Sequence, residues 1–207
     1  MNNPNVPDII VSRLPVYLRA LQRLADSGVS STSSQELGEK VGISAAQIRK
    51  DLSQFGEFGK QGSGYHIPFL IERLSQILHI DRSWDVAVIG MGDIGHALAR
   101  YNGFSNRGFR VAMCFDADPA KIGQKVCEFP IRDAKNLAQD IKEAGIKIAM
   151  ICVPASAGQE VADQLVESGV RAILNYAPIK LIVPAHVKVQ HIDPAIGLQR
   201  MTYYIPW

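Results

Sequence analysis

Apolar residues recur at two different spacings along the chain, and the change between them divides the chain into parts. Over Ile9–Asp26 they recur every three or four residues, which predicts an amphipathic helix whose regular part begins near Pro15. From Trp84 onward, continuous apolar runs alternate with helical patterns, as is typical of a doubly wound parallel sheet covered on both faces. We therefore predict a helical domain over 1–80, an α/β domain over 81–194 and a final helical segment over 195–207.

Two capping patterns in the helical domain predict a helix-turn-helix. Ser33 with Glu36 opens one short helix, and Ser44–Gln47 forms a second capping box that opens a helix over 45–55. The glycine-rich segment 57–66 then predicts a β-hairpin. This order of elements is typical of a winged helix.

The second helix of this pair carries side chains suited to DNA. In a helix-turn-helix, the first residues of the second helix face base edges in the major groove. Gln47 is suited to adenine, Arg49 to guanine or phosphate, and Lys50 to phosphate. Ser44 lies at the helix start and Lys60 at the predicted hairpin tip. Because the net charge is only +2, a winged helix that contacts another protein is the alternative.

A glycine-rich turn in the α/β domain predicts a dinucleotide site. An apolar strand runs into Gly90-x-Gly92-x-x-Gly95, and Asp116 closes the next strand about 20 residues later, as the dinucleotide fingerprint requires. Such a turn brings backbone N–H groups and a helix N-terminus to a pyrophosphate. A carboxylate at the end of the second strand accepts hydrogen bonds from a ribose 2′-hydroxyl and repels a 2′-phosphate, so we expect NAD(H) rather than NADP(H).

The sequence offers no evident catalyst beside this coenzyme site. His96, His186 and His191 are the acid–base candidates, and each has the surroundings of an ordinary helix or loop histidine. We therefore expect a sensor rather than an enzyme. An apolar lining from Tyr101 and Phe104 would favour the neutral ring of NADH over the cationic ring of NAD⁺. A small NAD-dependent reductase is the alternative.

Composition excludes several classes of protein. An apolar content of 47% and a charged content of 20% indicate an ordinary folded core, and no apolar run is long enough to span a membrane. The N-terminus lacks the features of a signal peptide, and Cys114, Cys127 and Cys152 lie in or beside apolar runs, as reduced core thiols do. We expect a cytoplasmic protein without a metal site. A repressor that responds to thiol oxidation or to another nucleotide is a further alternative.

Five motifs, taken in chain order, resemble those of the Rex family of redox-sensing transcriptional repressors. They are Ser12–Arg19, Val41–Gly56, Gly62–Tyr65, Gly90–Gly95 and Ile173–Pro178. The resemblance spans nearly the whole chain. It implies a homodimer that binds a palindromic operator when the NADH/NAD⁺ ratio is low and releases the operator when NADH binds. It also implies that the C-terminal helix is exchanged between subunits.

The resemblance also implies roles for individual positions. The implied coenzyme contacts are Gly90, Met91, Gly92, Asp93, Ile94, Gly95, Tyr101, Asp116, Pro154, Asn175, Ala177 and Pro178. The implied operator contacts are Ser44, Gln47, Arg49, Lys50 and Lys60. Arg19 and Asp193 match a pair that bridges the winged helix of one subunit to the Rossmann domain of its partner. Gln61 and Pro194 depart from the family pattern, which often has a basic residue and a bulky apolar residue there.

Overall fold

The structure is a computed structural model that describes residues 6–58 and 64–206. The chain divides into two units, Met1–Arg82 and Ser83–Trp207. Among the described residues, no helix has the length and apolar character needed to cross a membrane.

The first unit has the fold of a winged helix. Its described elements are α1 Asp8–Val11, α2 Leu14–Asp26, β1 Ser31–Thr32, α3 Ser34–Val41, α4 Ala45–Ser53, β2 Tyr65–His66 and α5 Ile67–Ile77. The helices enclose a core in which Leu14, Leu21, Leu37, Ile48 and Leu70 are fully buried. The predicted first helix is interrupted between Val11 and Leu14. Pro15 lies in the first turn of α2, where a residue without an N–H group costs no helical hydrogen bond.

The two predicted capping boxes differ in outcome. At the start of α3, Ser33 Oγ accepts the Glu36 N–H at 3.1 Å and the Glu36 carboxylate accepts the Ser33 N–H at 2.7 Å, so this box is complete. At the start of α4, Ser44 Oγ accepts the Gln47 N–H at 3.2 Å. The predicted return bond from the Gln47 side chain is wrong, because its amide donates to Asp51 at 2.6 Å instead.

The tip of the predicted hairpin, with Lys60 and Gln61, lies outside the described residues. Of the described residues of this segment, Glu57 and Phe58 form no strand, whereas Tyr65–His66 form β2, which pairs antiparallel with β1 and not within the segment. Strand β1 lies between α2 and α3 and was not predicted, because two residues are too few to show a period of two.

The described part of the second unit contains a seven-stranded sheet in the order β5-β6-β4-β3-β7-β8-β9. The strands are β3 Trp84–Ile89, β4 Phe109–Asp116, β5 Lys125–Val126, β6 Phe129–Asp133, β7 Ile148–Ile151, β8 Ala172–Asn175 and β9 Lys188–His191. All neighbouring strands are parallel except β5 and β6. The order of the six parallel strands is that of a Rossmann fold, so the predicted doubly wound sheet is confirmed.

The described part of the second unit also contains the helices α6 Asp93–Ala99, α7 Leu137–Ala144, α8 Ala155–Glu167 and α9 Pro194–Thr202. Helix α6 ends at Ala99, and a 3-10 turn, Asn102–Arg107, follows it. Strands β5 and β6 were not predicted. They are short and meet at Cys127, a non-glycine residue with φ +54°, and the second contains Pro130, which is rare in strands.

Helix α9 has no buried residue, and its apolar side chains are exposed together with those that follow it. They are Ile196, Leu198, Met201, Tyr203, Tyr204 and Ile205.

Candidate dinucleotide site and DNA-reading helix

The three glycines between β3 and α6 have different surroundings. Gly90 has φ +92°, and a Cβ there would lie 2.7 Å from the Cys152 carbonyl oxygen. A Cβ on Gly95 would collide with the carbonyl oxygen of Gly90. A Cβ on Gly92, by contrast, would meet no atom within 4 Å, and the φ of Gly92 is an ordinary −81°. Gly90 and Gly95 therefore close the turn, whereas Gly92 faces open space, as a backbone that must approach a pyrophosphate would.

The other residues of the turn divide in the same way. Met91 is buried in the core beneath the sheet edge. Asp93 and Ile94, the first two residues of α6, are exposed. The open side of the turn is therefore formed by Gly92, Asp93 and Ile94.

Asp116 ends β4 and is tied to the glycine-rich turn. Its carboxylate accepts the Met91 N–H at 2.7 Å and the Asp118 N–H at 2.8 Å, and it pairs with Lys121 at 3.2 Å. Burial alone would raise the pKa of Asp116, but the two N–H donors and the Lys121 ammonium hold it below its ordinary value. The carboxylate is therefore ionised at neutral pH and has acceptor capacity left for a hydroxyl group.

Lys121 is a part of this site that sequence reasoning missed. The segment after β4 turns back on itself, because the Asp118 carboxylate accepts the Ala120 N–H at 2.9 Å and the Asp118 carbonyl accepts the Lys121 N–H at 3.0 Å. The turn returns the lysine to the acid five positions before it. The signal available in the sequence was the Asp118-Pro119 pair, which favours such a turn.

Two further segments end at the same edge of the sheet. Pro154 follows β7 as the residue before α8, and Asn175 ends β8. Asn175 is 1% exposed, and its side chain turns inward. Its amide donates to the carbonyls of Ala177 at 3.1 Å and Ile179 at 2.9 Å and accepts the Ala177 N–H at 3.0 Å. Asn175 thus shapes the loop that carries Ala177 and Pro178.

The sheet brings these segments together at one place. The glycine-rich turn, Asp116, Pro154 and Asn175 follow β3, β4, β7 and β8, which are neighbours in the sheet and parallel. The chain order reverses between β3 and β7, and ligands of such sheets bind in the crevice at this reversal. The residues present therefore fit a dinucleotide.

Tyr101 lies just beyond α6 and is 48% exposed. Its ring packs edge-on against Phe104, with centroids 5.0 Å apart, and Arg107 donates to its hydroxyl at 3.4 Å. A Cβ on Gly103 would collide with the Tyr101 ring, so that glycine makes room for it. The predicted aromatic pair is therefore present as a partly open surface.

Two of the three cysteines have the properties of core thiols. Burial raises the pKa of Cys114 to about 11 and that of Cys152 to about 12. Both are therefore protonated and unreactive at neutral pH. Cys127 is exposed, and no group of metal-ligating side chains occurs within the described part of the chain.

Helix α4 is attached to the start of α2 through a buried carboxylate. Asp51 is 0% exposed and accepts two hydrogen bonds from Arg13, at 2.6 and 2.7 Å, one from the Tyr17 hydroxyl at 2.6 Å and one from Gln47 at 2.6 Å. Burial alone would raise the pKa of Asp51, but these donors, Arg13 above all, lower it. Burial and the neighbouring carboxylate raise the pKa of the Tyr17 hydroxyl.

The remaining DNA-contact candidates lie on the exposed side of α4. Arg49 donates to the Ser34 hydroxyl at 2.8 Å, and Lys50 is exposed. Ser44 is engaged as the cap of the helix. Arg19 is exposed on α2, and Asp193 caps α9 by accepting the Ala195 N–H at 2.9 Å.

A winged helix followed by a Rossmann domain with this crevice defines a class, the transcription regulators that take a dinucleotide as their signal. Family models match both parts of the chain: one described as "Putative DNA-binding protein N-terminus" over residues 5–53, and one described as "CoA binding domain" over 81–179. Relatives that are 43% and 52% identical over nearly the whole chain are redox-sensing transcriptional repressors named Rex, so the chain belongs to the Rex family. Membership makes it a regulator rather than an enzyme, as the sequence predicts.

The membership rests on relatives that match almost end to end. A redox-sensing transcriptional repressor Rex of Chloroflexus aurantiacus is 52% identical and covers 96% of this chain and 94% of its own length. The one from Clostridium beijerinckii is 43% identical, with 97% and 95% covered. RSP, a Rex-family repressor, has been solved in complex with NAD⁺ and operator DNA. Its sequence is 36% identical to this chain, the match covers 98% of this chain and 93% of RSP, and the TM-score is 0.92. The RSP complex with NADH has a TM-score of 0.88 at 34% identity, with 98% and 95% covered.

Proposed function

We propose that this protein is a dimeric repressor that binds a palindromic operator through α4 and releases it when NADH occupies the crevice at the sheet edge. The observation that carries the proposal is the open space at Gly92 beside the buried, ionised Asp116, in a chain whose relatives are Rex repressors. RSP, a relative whose structure has been solved, binds NAD⁺, NADH and operator DNA.

In this proposal the crevice holds the coenzyme by its adenosine and pyrophosphate half. The open turn at Gly92, Asp93 and Ile94 receives the pyrophosphate, and Asp116 accepts from the ribose hydroxyl groups. Pro154 and the loop carrying Ala177 and Pro178 border the other side of the crevice.

Discrimination between the two redox states is proposed to lie at Tyr101. NAD⁺ brings a cationic ring and NADH a neutral one, and the cation loses more hydration when it is covered by an aromatic, apolar surface. Pro194, which begins α9 in place of the bulky residue of the family, leaves Tyr101 and Phe104 as the apolar groups proposed to make this discrimination.

The C-terminal segment 195–207 is proposed to be the contact that makes the dimer. Helix α9 is only nine residues long, and its apolar side chains are exposed, as expected of a helix that packs on a second subunit. Arg19 and Asp193 are proposed as the pair that joins the 1–80 domain of one subunit to the 81–194 domain of its partner. Operator DNA of a bacterial cell lies in the cytoplasm, so the proposal places the protein there.

Thermodynamic linkage determines how strongly NADH must prefer the released form of the protein. If NADH weakens operator binding by some factor, the operator weakens NADH binding by the same factor. A shift from about 1:99 to 99:1 in favour of the released form requires NADH to bind that form about 10⁴-fold more tightly.

The test is a titration of labelled operator with protein in the presence of NADH or NAD⁺, using a palindromic duplex selected from a random pool. The proposal predicts that NADH weakens binding far more than NAD⁺ does. The variant Gly92→Ala tests the site itself. It adds a Cβ in open space at an ordinary φ, so the melting temperature should stay unchanged. NADH binding should be lost, and with it the release of the operator by NADH. Equal effects of NADH and NAD⁺ would refute the redox response.

A further inference from the structure

The carboxylate of Asp51 has no acceptor capacity left. Its Oδ2 accepts from Arg13 Nε and the Tyr17 hydroxyl, each at 2.6 Å. Its Oδ1 accepts from Arg13 Nη2 at 2.7 Å and Gln47 Nε2 at 2.6 Å. An ionised carboxylate offers about four lone-pair positions, so four donors saturate it.

The ionised state of this carboxylate determines how the Gln47 side chain is turned. An ionised carboxylate accepts only, so Gln47 must direct its NH₂ group, not its oxygen, at Asp51. The bond leaves Gln47 with its amide oxygen and one N–H, and within the described residues that oxygen has no hydrogen-bond partner. Gln47 is half-buried in the first turn of α4, which is the part of a recognition helix that faces base edges.

We propose that Gln47 reads an adenine of the operator and that Asp51 is the positioning residue that sets its amide for this task. The inference rests on the operator binding proposed above. An amide oxygen accepts from adenine N6 while an amide N–H donates to adenine N7. Guanine presents acceptors at both of these positions. An amide that cannot turn therefore sets its oxygen against guanine O6, which makes the discrimination stronger than a freely turning glutamine would achieve.

The cluster connects this orientation to the rest of the winged helix. Arg13 lies between α1 and α2, and Tyr17 lies on the first turns of α2, so the Asp51 carboxylate that holds Gln47 is itself held by groups 38 and 34 positions earlier in the chain. Tyr17 contacts Oδ2, whereas Gln47 contacts Oδ1. Removal of the Tyr17 hydroxyl therefore weakens the cluster without releasing Gln47, and this difference provides a matched control.

The experiment compares base preferences rather than overall affinities. A palindromic duplex is selected from a random pool with the wild-type protein, and every single base pair of one half-site is then replaced in turn. Binding of each duplex is measured by fluorescence anisotropy for the wild type and for Gln47→Ala, Gln47→Glu, Asp51→Asn and Tyr17→Phe.

We expect one A·T position at which the wild type loses about tenfold or more in affinity when G·C is substituted. That preference should fall to about twofold or less in Gln47→Ala and in Asp51→Asn, and it should persist in Tyr17→Phe. Gln47→Glu retains Asp51 and the size of the side chain but replaces the donor by an acceptor, so the preference should be lost there too. Retention of the preference in Gln47→Glu would refute the positioning by Asp51 even if Asp51→Asn does not fold.

Three results separate the claims. If Gln47→Ala retains every base preference of the wild type, Gln47 does not read the operator. If Gln47→Ala loses the adenine preference but Gln47→Glu or a folded Asp51→Asn retains it, Asp51 does not position the amide. Failure of the wild type to select any duplex would refute the operator binding instead.

Discussion

The ammonium of Lys121 beside Asp116 leads to a prediction about coenzyme selectivity. A carboxylate at the end of β4 repels the 2′-phosphate of NADPH, which is the usual basis of NADH preference. Here a lysine lies 3.2 Å from that carboxylate and offsets part of the repulsion. We therefore expect Lys121→Met, which retains an apolar stem but removes the charge, to sharpen the preference for NADH.

The magnitude follows from the geometry. A 2′-phosphate at hydrogen-bond distance from the carboxylate would lie within about 6 Å of the ammonium, given the 3.2 Å separation of Lys121 and Asp116. With an effective dielectric constant of about 20, two unit charges at that separation attract by about 2.8 kcal/mol. The Lys121 side chain is 35% exposed. Screening by solvent then leaves about half of this, which is about a tenfold change in affinity.

The assay is a titration of wild type and variant with NADH and with NADPH, followed by coenzyme fluorescence. NADPH affinity should fall about tenfold in Lys121→Met, while NADH affinity changes much less. Lys125→Met is the matched control, because Lys125 is an exposed lysine on β5 with no side-chain partner in the part of the chain that the structure describes. A ratio of the two affinities that is the same in both variants would show that the Lys121 ammonium does not act at the ribose.

Three further predictions concern stability and reactivity. Arg13→Met should lower the free energy of unfolding by about 3 kcal/mol, because Asp51 stays buried without its main partner. Because the pKa of Asp51 is lowered in the folded state, the Arg13–Asp51 pair stabilises the protein fully above about pH 4. This stabilisation is lost as the pH falls through the folded-state pKa, so the melting temperatures of wild type and variant should converge in acid. Gly90→Ala should destabilise by more than about 1 kcal/mol in chemical denaturation, since φ is +92° and the Cβ would meet the Cys152 carbonyl. At neutral pH, iodoacetamide should label the exposed Cys127 before Cys152, whose pKa is raised to about 12. Mass spectrometry that finds Cys152 labelled first would contradict the burial argument.

Local signals were sufficient where an element satisfies its own requirements. The helix-turn-helix followed from two capping serines, and both Ser33 and Ser44 accept the backbone bonds that the pattern predicts. The parallel strands followed from continuous apolar runs, because strands covered on both faces have no polar side. Strands β1 and β5 could not be predicted, because each has only two residues; β1 exists only through pairing with the distant β2, and β5 only through pairing with β6.

The dinucleotide site was predictable to the extent that its chemistry is confined to one turn. The spacing of Gly90, Gly92, Gly95 and Asp116 is a local property, and the structure brings these residues together at one edge of the sheet. The pairing of Lys121 with Asp116 depends on how the loop after β4 folds back, which residue types alone do not determine.

Gln47 shows the limit most clearly. Its spacing from Ser44 favours a capping box and its spacing from Asp51 favours a hydrogen bond along one helix face, and both patterns are present in the sequence. The choice between them is made above all by Arg13, because its guanidinium keeps the buried Asp51 carboxylate ionised as an acceptor. An exposed aspartate would compete with water for the same amide, and its bond would be worth far less. The orientation of a side chain proposed to read DNA is therefore decided by a tertiary contact from the start of α2, and the proposed base preference should depend on Asp51 as much as on Gln47 itself.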